Sequence, residues 1–354
     1  MNEGTSIVSV IMPVFNTADF LSESVSSLSA QSFSNWELIA VDDGSTDNSW
    51  ELLQSYAAVD NRIKVFHKHN EGPTKARAFA LSQAKGTYVF YLDSDDYISP
   101  HTLEDCFVAI QQEDCSVALP NLVMERPDGD CRDFFAESHL HPGYTMSGME
   151  AFVRSIDWDG VHSSMMCHTE LYKSVACNPA NIHDEYNTDE LITRQIFLKC
   201  SRVVLTEGVY CYTNNPDSVS KKLSPKVFGK LTTSLRLIDI CRTNSMPDAV
   251  IAKAEATALR DMIDLWHTFH RNKQQFTPTQ RRDIRKRFKH CFRCLDKTNI
   301  RHLLRVKNGI TPKLQSLLLT YNWLQCRLAL NLSEAFGKEN KLFPFFSNES
   351  FARI

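Results

Sequence analysis

Two hydrophobic periods trade places along the first 120 residues. Ile7-Val-Ser-Val-Ile-Met12 is a β-branched run that stops at Pro13, and Asp19 to Ala30 then sets Leu21, Val25 and Leu28 at helical spacing. Trp36-Glu-Leu-Ile-Ala-Val41 returns to strand character and completes one strand–helix–strand unit. The exchange repeats with a helix through Trp50, Leu53 and Tyr56 or Ala57, a strand at Ile63-Lys-Val-Phe66, a helix carrying Ala76, Phe79, Ala80 and Ala84, and a strand at Thr87 to Leu92. Such alternation predicts an α/β fold, a mostly parallel sheet with helices on both faces. The nearly unbroken apolar reading of Tyr88 to Leu92 predicts a strand covered on both sides.

From 121 to 222 the pattern is less regular, with loops at Glu125 to Asp130 and Leu140 to Gly143. A helix is expected from Thr188 to Lys199, and strands at Val203 to Thr206 and Val209 to Tyr212. Beyond Pro225 the spacing turns helical, through Leu231, Leu235 and Ile238 and then Ile251, Ala254, Ala258, Met262 and Leu265. The expected division is a domain at 1–224, with halves 1–120 and 121–224, followed by a helical part at 225–354.

Composition changes this picture in two ways. The 354 residues carry a formal charge of -3, with 39 Lys plus Arg against 42 Asp plus Glu, which excludes a wholesale nucleic-acid binder. That total hides unlike parts: residues 1–280 carry -14, whereas 281–307 hold eleven Lys or Arg and two Asp. Ile284, Phe288, Cys291 and Leu295 would form an apolar stripe beneath that basic face. Such a helix either lies on an anionic membrane surface or packs on the rest of the protein with its cations solvated. The start lacks the basic region and cleavage site of a signal peptide, and the uncharged stretch Leu314 to Cys326 is shorter than the roughly 20 residues that span a bilayer. Eleven scattered cysteines read as reduced thiols. The expectation is a cytoplasmic protein, with docking at the inner face of the membrane through 281–307 as the first of those two alternatives. Cys291 and Cys294 have ligand-like spacing but make only one close pair, where zinc needs four ligands.

In an open parallel sheet ligands bind beyond the carboxyl ends of the strands. Three predicted strand ends are polar: Pro13-Val-Phe-Asn16, Asp42-Asp-Gly-Ser-Thr-Asp47 and Asp93-Ser-Asp-Asp96. Each also has a plain reading as turn chemistry, and Ser45 or Asp47 can cap the following helix. Together they crowd carboxylates on one rim, which a cation would relieve. Oxygen donors select a hard ion, and Mn2+ or Mg2+ suits Asp93-x-Asp95. Neither the Gly-rich dinucleotide fingerprint nor a P-loop is present, which disfavours hydride transfer and P-loop chemistry.

The joint set Ser9 to Asn16, Gln31-Ser-Phe-Ser-Asn-Trp-Glu37, Val41 to Asp47, Asn70-Glu-Gly-Pro-Thr-Lys-Ala-Arg77 and Gly86 to Asp96 resembles the family 2 glycosyltransferases of the GT-A fold. A weaker continuation at Asn187 to Leu191, Glu207 to Tyr212 and Asp217 to Lys222 resembles the capsule and lipopolysaccharide branch. The resemblance implies an inverting, metal-dependent transfer from a nucleotide-diphosphate sugar to a glycan or lipid-linked acceptor. By position it implies that Pro13 and Phe15, with Asn16, line the base pocket, that Asp43 or Asp42 binds the nucleobase, and that Arg77 lies near the base or diphosphate. Asp93 and Ser94 would face the ribose or sugar, and Asp95, with Asp93 and Asp96, would approach the metal. Asp189 and Glu190 are the candidate base. The family usually shows Glu-Asp here, so Glu190 takes the aspartate's position and Asp189 is the alternative. Lys221 and Lys222 either close over the diphosphate or are solvated. The nucleobase, sugar, acceptor and oligomeric state are not set by motif.

Overall fold

Seven consecutive buried residues make Val8–Val14 the first strand, β1, flanked by β2 (Trp36–Asp42), itself buried throughout. The computed structural model describes residues 7–126, 129–178, 186–216, 218, 222–296, 323 and 327. Lys221, most of the Asp217 to Lys222 stretch, nearly all of Leu314 to Cys326 and the basic segment beyond 296 lie outside the described residues. The described chain divides into two compact units, Met1–Asp184 with Thr188–Lys222, and Glu185–Asn187 with Leu223–Ile354.

In the first unit, α1 (Ala18–Ser29) follows β1, α2 (Ser49–Val59) and β3 (Ile63–His67) follow β2, and α3 (Pro73–Gln83) leads to β4 (Tyr88–Tyr91). The remaining elements are β5 (Tyr97–Ile98), α4 (Thr102–Glu113), β6 (Val117–Glu125), β7 (Cys131–Asp133), α5 (Phe134–Glu137), β8 (Thr145–Ser147) and α6 (Gly148–Ser155). They are followed by β9 (Met166–His168), α7 (Thr169–Ala176), α8 (Thr188–Lys199) and β10 (Arg202–Tyr212). The strands form one sheet in the order β3-β2-β1-β4-β9-β6-β10-β5. β1 runs parallel to β2 and β4, β2 to β3, and β6 to β10, whereas β9 is antiparallel to both neighbours. The parallel run puts the carboxyl ends of β1, β2 and β4 on one edge, as the alternation of periods predicted.

The spacing of Leu21, Val25 and Leu28 explains α1: all three are at most 2% exposed, and burying each contributes about 1.5–3 kcal/mol. Patterning missed β6, because Pro120 and Asn121 interrupt its apolar run, and the two- or three-residue strands β5, β7, β8 and β9, which are too short to show a period. The two strands expected at 203–206 and 209–212 are a single β10, whose register against β6 shifts between Leu205 and Val209.

In the second unit α9 (Lys230–Thr243), α10 (Asp248–Arg271) and α11 (Pro278–Cys294) supply the core. Of the two alternatives for the apolar stripe, the packed one holds: Ile284, Phe288, Cys291 and Leu295 are all buried. Phe288 packs edge-on to Trp266 with ring centroids 5.0 Å apart and to Phe228 at 6.0 Å. The stripe therefore belongs to this unit's own core.

Candidate active site

The turn after β2 is organised by its own carboxylates. Asp42 is fully buried, and its Oδ2 accepts from Ser45 N at 3.2 Å and meets His67 Nδ1 at 2.7 Å, while Oδ1 has no partner. Asp43 accepts from Lys68 Nζ at 2.7 Å, Glu71 N at 3.1 Å and Gly72 N at 2.8 Å. It thereby fixes the loop that enters α3, the helix carrying Arg77. Gly44 adopts φ 76°, and a Cβ there would stand 2.9 Å from Asn70 N, so the turn needs a residue with no side chain. Asp47 caps two helices, accepting from Ala18 N at the start of α1 and from Ser49 N at the start of α2, each at 3.0 Å. Burial opposes its charge, but these donors win and hold its carboxyl below the usual range.

The residues assigned to the end of β1 separate. Pro13 is buried inside β1 opposite Val41, whereas Phe15 is 39% exposed on the rim. Asn16, at φ 53°, spends its amide oxygen on Thr46 N at 2.7 Å and so ties two loops together.

The loop after β4 alternates. Asp93 and Asp95 are half-buried at the rim, while Ser94 and Asp96 are buried. Thr17 Oγ1 donates to Ser94 Oγ at 2.9 Å, so Ser94 faces α1 rather than a sugar. Asp96 accepts from Tyr210 Oη at 2.8 Å and from Thr213 N at 2.9 Å. The same phenol oxygen accepts from Asp93 N at 3.1 Å. Burial, with Asp93 and Asp95 nearby, pushes the Asp96 carboxyl well above its ordinary value. With both oxygens engaged, Asp96 anchors the loop and does not fit the metal role assigned to it.

Asp93 Oδ1 accepts from Tyr91 Oη at 2.7 Å and from Arg77 Nη2 at 3.3 Å, and that guanidinium lies 4.5 Å above the Tyr91 ring. Asp95 Oδ2 accepts from Asn215 Nδ2 at 2.8 Å. Among the described residues no three His, Cys, Asp or Glu side chains gather to hold an ion. The oxygen-only chemistry of Asp95 and Asp93 fits a hard ion that takes one or two protein carboxylates and completes its shell with phosphate and water.

The start of α8 separates the two candidate bases. Adjacent helical residues point about 100° apart. Glu190 Oε2 accepts from Arg194 Nη1 at 3.0 Å; Arg194 is 3% exposed, also donates to Ser155 O at 2.9 Å, and lies over Trp158. Glu190 therefore neutralises a buried arginine. Asp189 instead lines a cavity with Arg77, Thr74, Tyr172, Ile11 and Ile192. Burial opposes the Arg77 charge, but Tyr91, Asp93, Asp189 and Tyr172 outweigh it and raise the pKa above the ordinary arginine value. The structure thus favours Asp189 over Glu190 as the carboxylate facing the site. Neither Tyr172, in α7, nor Tyr210, in β10, was named as a site residue, because the groups each meets at the rim lie far away in the chain.

Residues 9–154 match the model of glycosyl transferase family 2. The glycosyltransferase GlyG of Streptococcus pneumoniae serotype 4 is 29% identical over 229 residues, covering 61% of this chain and 74% of that protein. The poly(ribitol-phosphate) beta-N-acetylglucosaminyltransferase TarS of Staphylococcus aureus is 27% identical over 243 residues, covering 66% of this chain and 40% of that protein. A crystal structure of TarS 1–349 in complex with UDP-GlcNAc superposes with a TM-score of 0.68 at 20% identity, over 93% of this chain and 90% of that one. The likeness in structure extends past the matched segment into the helical C-terminal part.

Proposed function

Over residues 9–154 this chain belongs to glycosyl transferase family 2, and from that premise we propose an inverting transfer from a nucleoside-diphosphate sugar to a hydroxyl of a glycan or lipid-linked acceptor. The polymer-directed activity in the name of TarS supports a role in surface-polymer synthesis. One observation carries the assignment of the base: Asp189 shares a cavity with Arg77, which in turn holds Asp93 at the end of β4.

The donor lies across the carboxyl ends of β1, β2 and β4. Phe15 offers an apolar face to the base. Asp42 keeps one carboxylate oxygen without a protein partner, whereas Asp43 is saturated, so Asp42 is the better acceptor for a base N–H. Arg77 brings a fixed positive charge to the diphosphate side. Asp95, with Asp93, would hold Mn2+ or Mg2+, and such an ion when bound supplies Lewis-acid neutralisation of charge on the departing diphosphate. Asp189 takes the acceptor hydroxyl proton as the new bond from that oxygen to the anomeric carbon forms and the bond to the diphosphate oxygen breaks. A single displacement inverts the anomeric centre, and no covalent intermediate is required.

Two variants test this with UDP-GlcNAc and Mn2+, reading turnover and thermal stabilisation separately. Asp189→Asn is expected to lose turnover by about 10²–10⁴-fold while the donor still raises the melting temperature. Asp95→Ala is expected to lose the Mn2+-dependent part of that stabilisation. Normal turnover in Asp189→Asn sinks the base assignment, and unchanged metal dependence in Asp95→Ala sinks the metal site.

A further inference from the structure

Arginines of the first unit are paired with carboxylates: Arg62 with Asp60 at 2.7 Å, Arg77 with Asp93 at 3.3 Å, Arg154 with Asp159 at 2.5 Å and Arg194 with Glu190 at 3.0 Å. α11 is different. Its Arg282, Arg285, Lys286, Lys289 and Arg293 are all exposed and recur at i, i+3, i+4, i+7 and i+11, so they form one stripe opposite the buried Ile284, Phe288 and Cys291. Among the described residues the only ion pair on that stripe is a loose one, Lys286 to Asp283 at 3.7 Å. The stripe is about 16 Å long at 1.5 Å per residue. Thr277 and Gln280 close a capping box at the start of the helix, so the cations stand on a well-terminated scaffold.

We propose that this stripe is a docking surface for an anionic lipid bilayer, held by charge without insertion. The apolar side of α11 is spent in the unit's own core, with Phe288 fully buried and Phe292 4% exposed, so no hydrophobic face remains to enter the membrane. Soluble nucleic-acid strands are bound with aromatic faces on which bases stack, and both phenylalanines of this helix point inward. Five cations along one straight edge meet a planar array of headgroups simultaneously. Binding of this kind must be sensitive to salt, because nothing but charge sustains it.

The test is sedimentation of the full chain with vesicles of one-third phosphatidylserine in phosphatidylcholine, against pure phosphatidylcholine. The full chain is expected to bind only the anionic vesicles at low salt and to be released at about 1 M salt, where the screening length is about 3 Å. The double variant Arg282→Glu with Lys289→Glu should lower partitioning by at least about twenty-five-fold, about fivefold for each cation removed. The neutral pair Arg282→Gln with Lys289→Gln serves if charge reversal disturbs folding. Absence of anionic preference at low salt, or undiminished binding in the variants, overturns the proposal. So does preference for soluble polyphosphate over vesicles at equal phosphate, which would assign the stripe to a polymer. The readout is binding and not transfer, so it is independent of the base and metal assignments.

Discussion

Two acidic regions on the same edge of the sheet differ in what donates to them. In the turn after β2, most donors to Asp42, Asp43 and Asp47 are backbone N–H groups of neighbouring loops and helix starts. Asp43 and Asp47 are spent on the scaffold, and Asp42 keeps one oxygen without a protein partner. At the rim built from the loop after β4 and the start of α8, Asp93 meets the side chains of Arg77 and Tyr91, and Asp189 faces a cavity. Carboxylates bound by backbone amides fix local geometry, because each lost contact would leave a buried donor unpaired. Carboxylates bound by side chains around a cavity can exchange those partners for a ligand.

The sharpest break of this contrast is within α8. Asp189→Asn should remove about 10²–10⁴-fold of turnover, whereas Glu190→Gln should leave turnover of the folded enzyme nearly intact and lower stability by about 1–3 kcal/mol through Arg194. The opposite pattern, read by steady-state kinetics and thermal melts on the same samples, would exchange the two roles. Next in size, Asp43→Ala should cost about 3 kcal/mol by unpairing the Glu71 and Gly72 backbone amides, while Lys68 keeps Glu71, seen as a lowered melting temperature without donor. A variant that melts normally but no longer binds donor would return Asp43 to the ligand.

A third effect, spread over a range of pH, belongs to neither region and calibrates both. His162 is 3% exposed, its Nε2 donates to Pro120 O at 2.6 Å, and its Nδ1 accepts from Ser164 N at 3.2 Å. Burial lowers its pKa to about 4, although the bond to Pro120 opposes this. The folded state therefore binds fewer protons than the unfolded one between about pH 4 and 6.5. The stability His162 contributes is present above about pH 6.5 and is lost as pH falls toward 4, by up to about 3 kcal/mol. His162→Gln should flatten that part of the stability profile in denaturant titrations. A slope that persists in the variant would assign it to other groups.

The order from β1 to β4, the helices between them and α8 to α11 were legible because apolar spacing reports which face of an element is buried. What lay beyond reach was pairing across distance. Nothing near Asp96 in the chain announces Tyr210, 114 positions away, and nothing in Asp189-Glu190 says which acid meets a buried arginine four residues on. α11 was left open for the same reason: its apolar stripe is equally suited to lipid or to Trp266 and Phe228, and only packing decides.

Amino-acid pattern by itself determined the α/β architecture, the edge on which polar strand ends converge and the kind of chemistry carboxylates there can support. Tertiary structure decided which of those carboxylates are spent. Local spacing sets the direction of a side chain, but its role depends on the donor it finds, and those donors come from β10, α3 and α8, elements distant in sequence and adjacent only once folded.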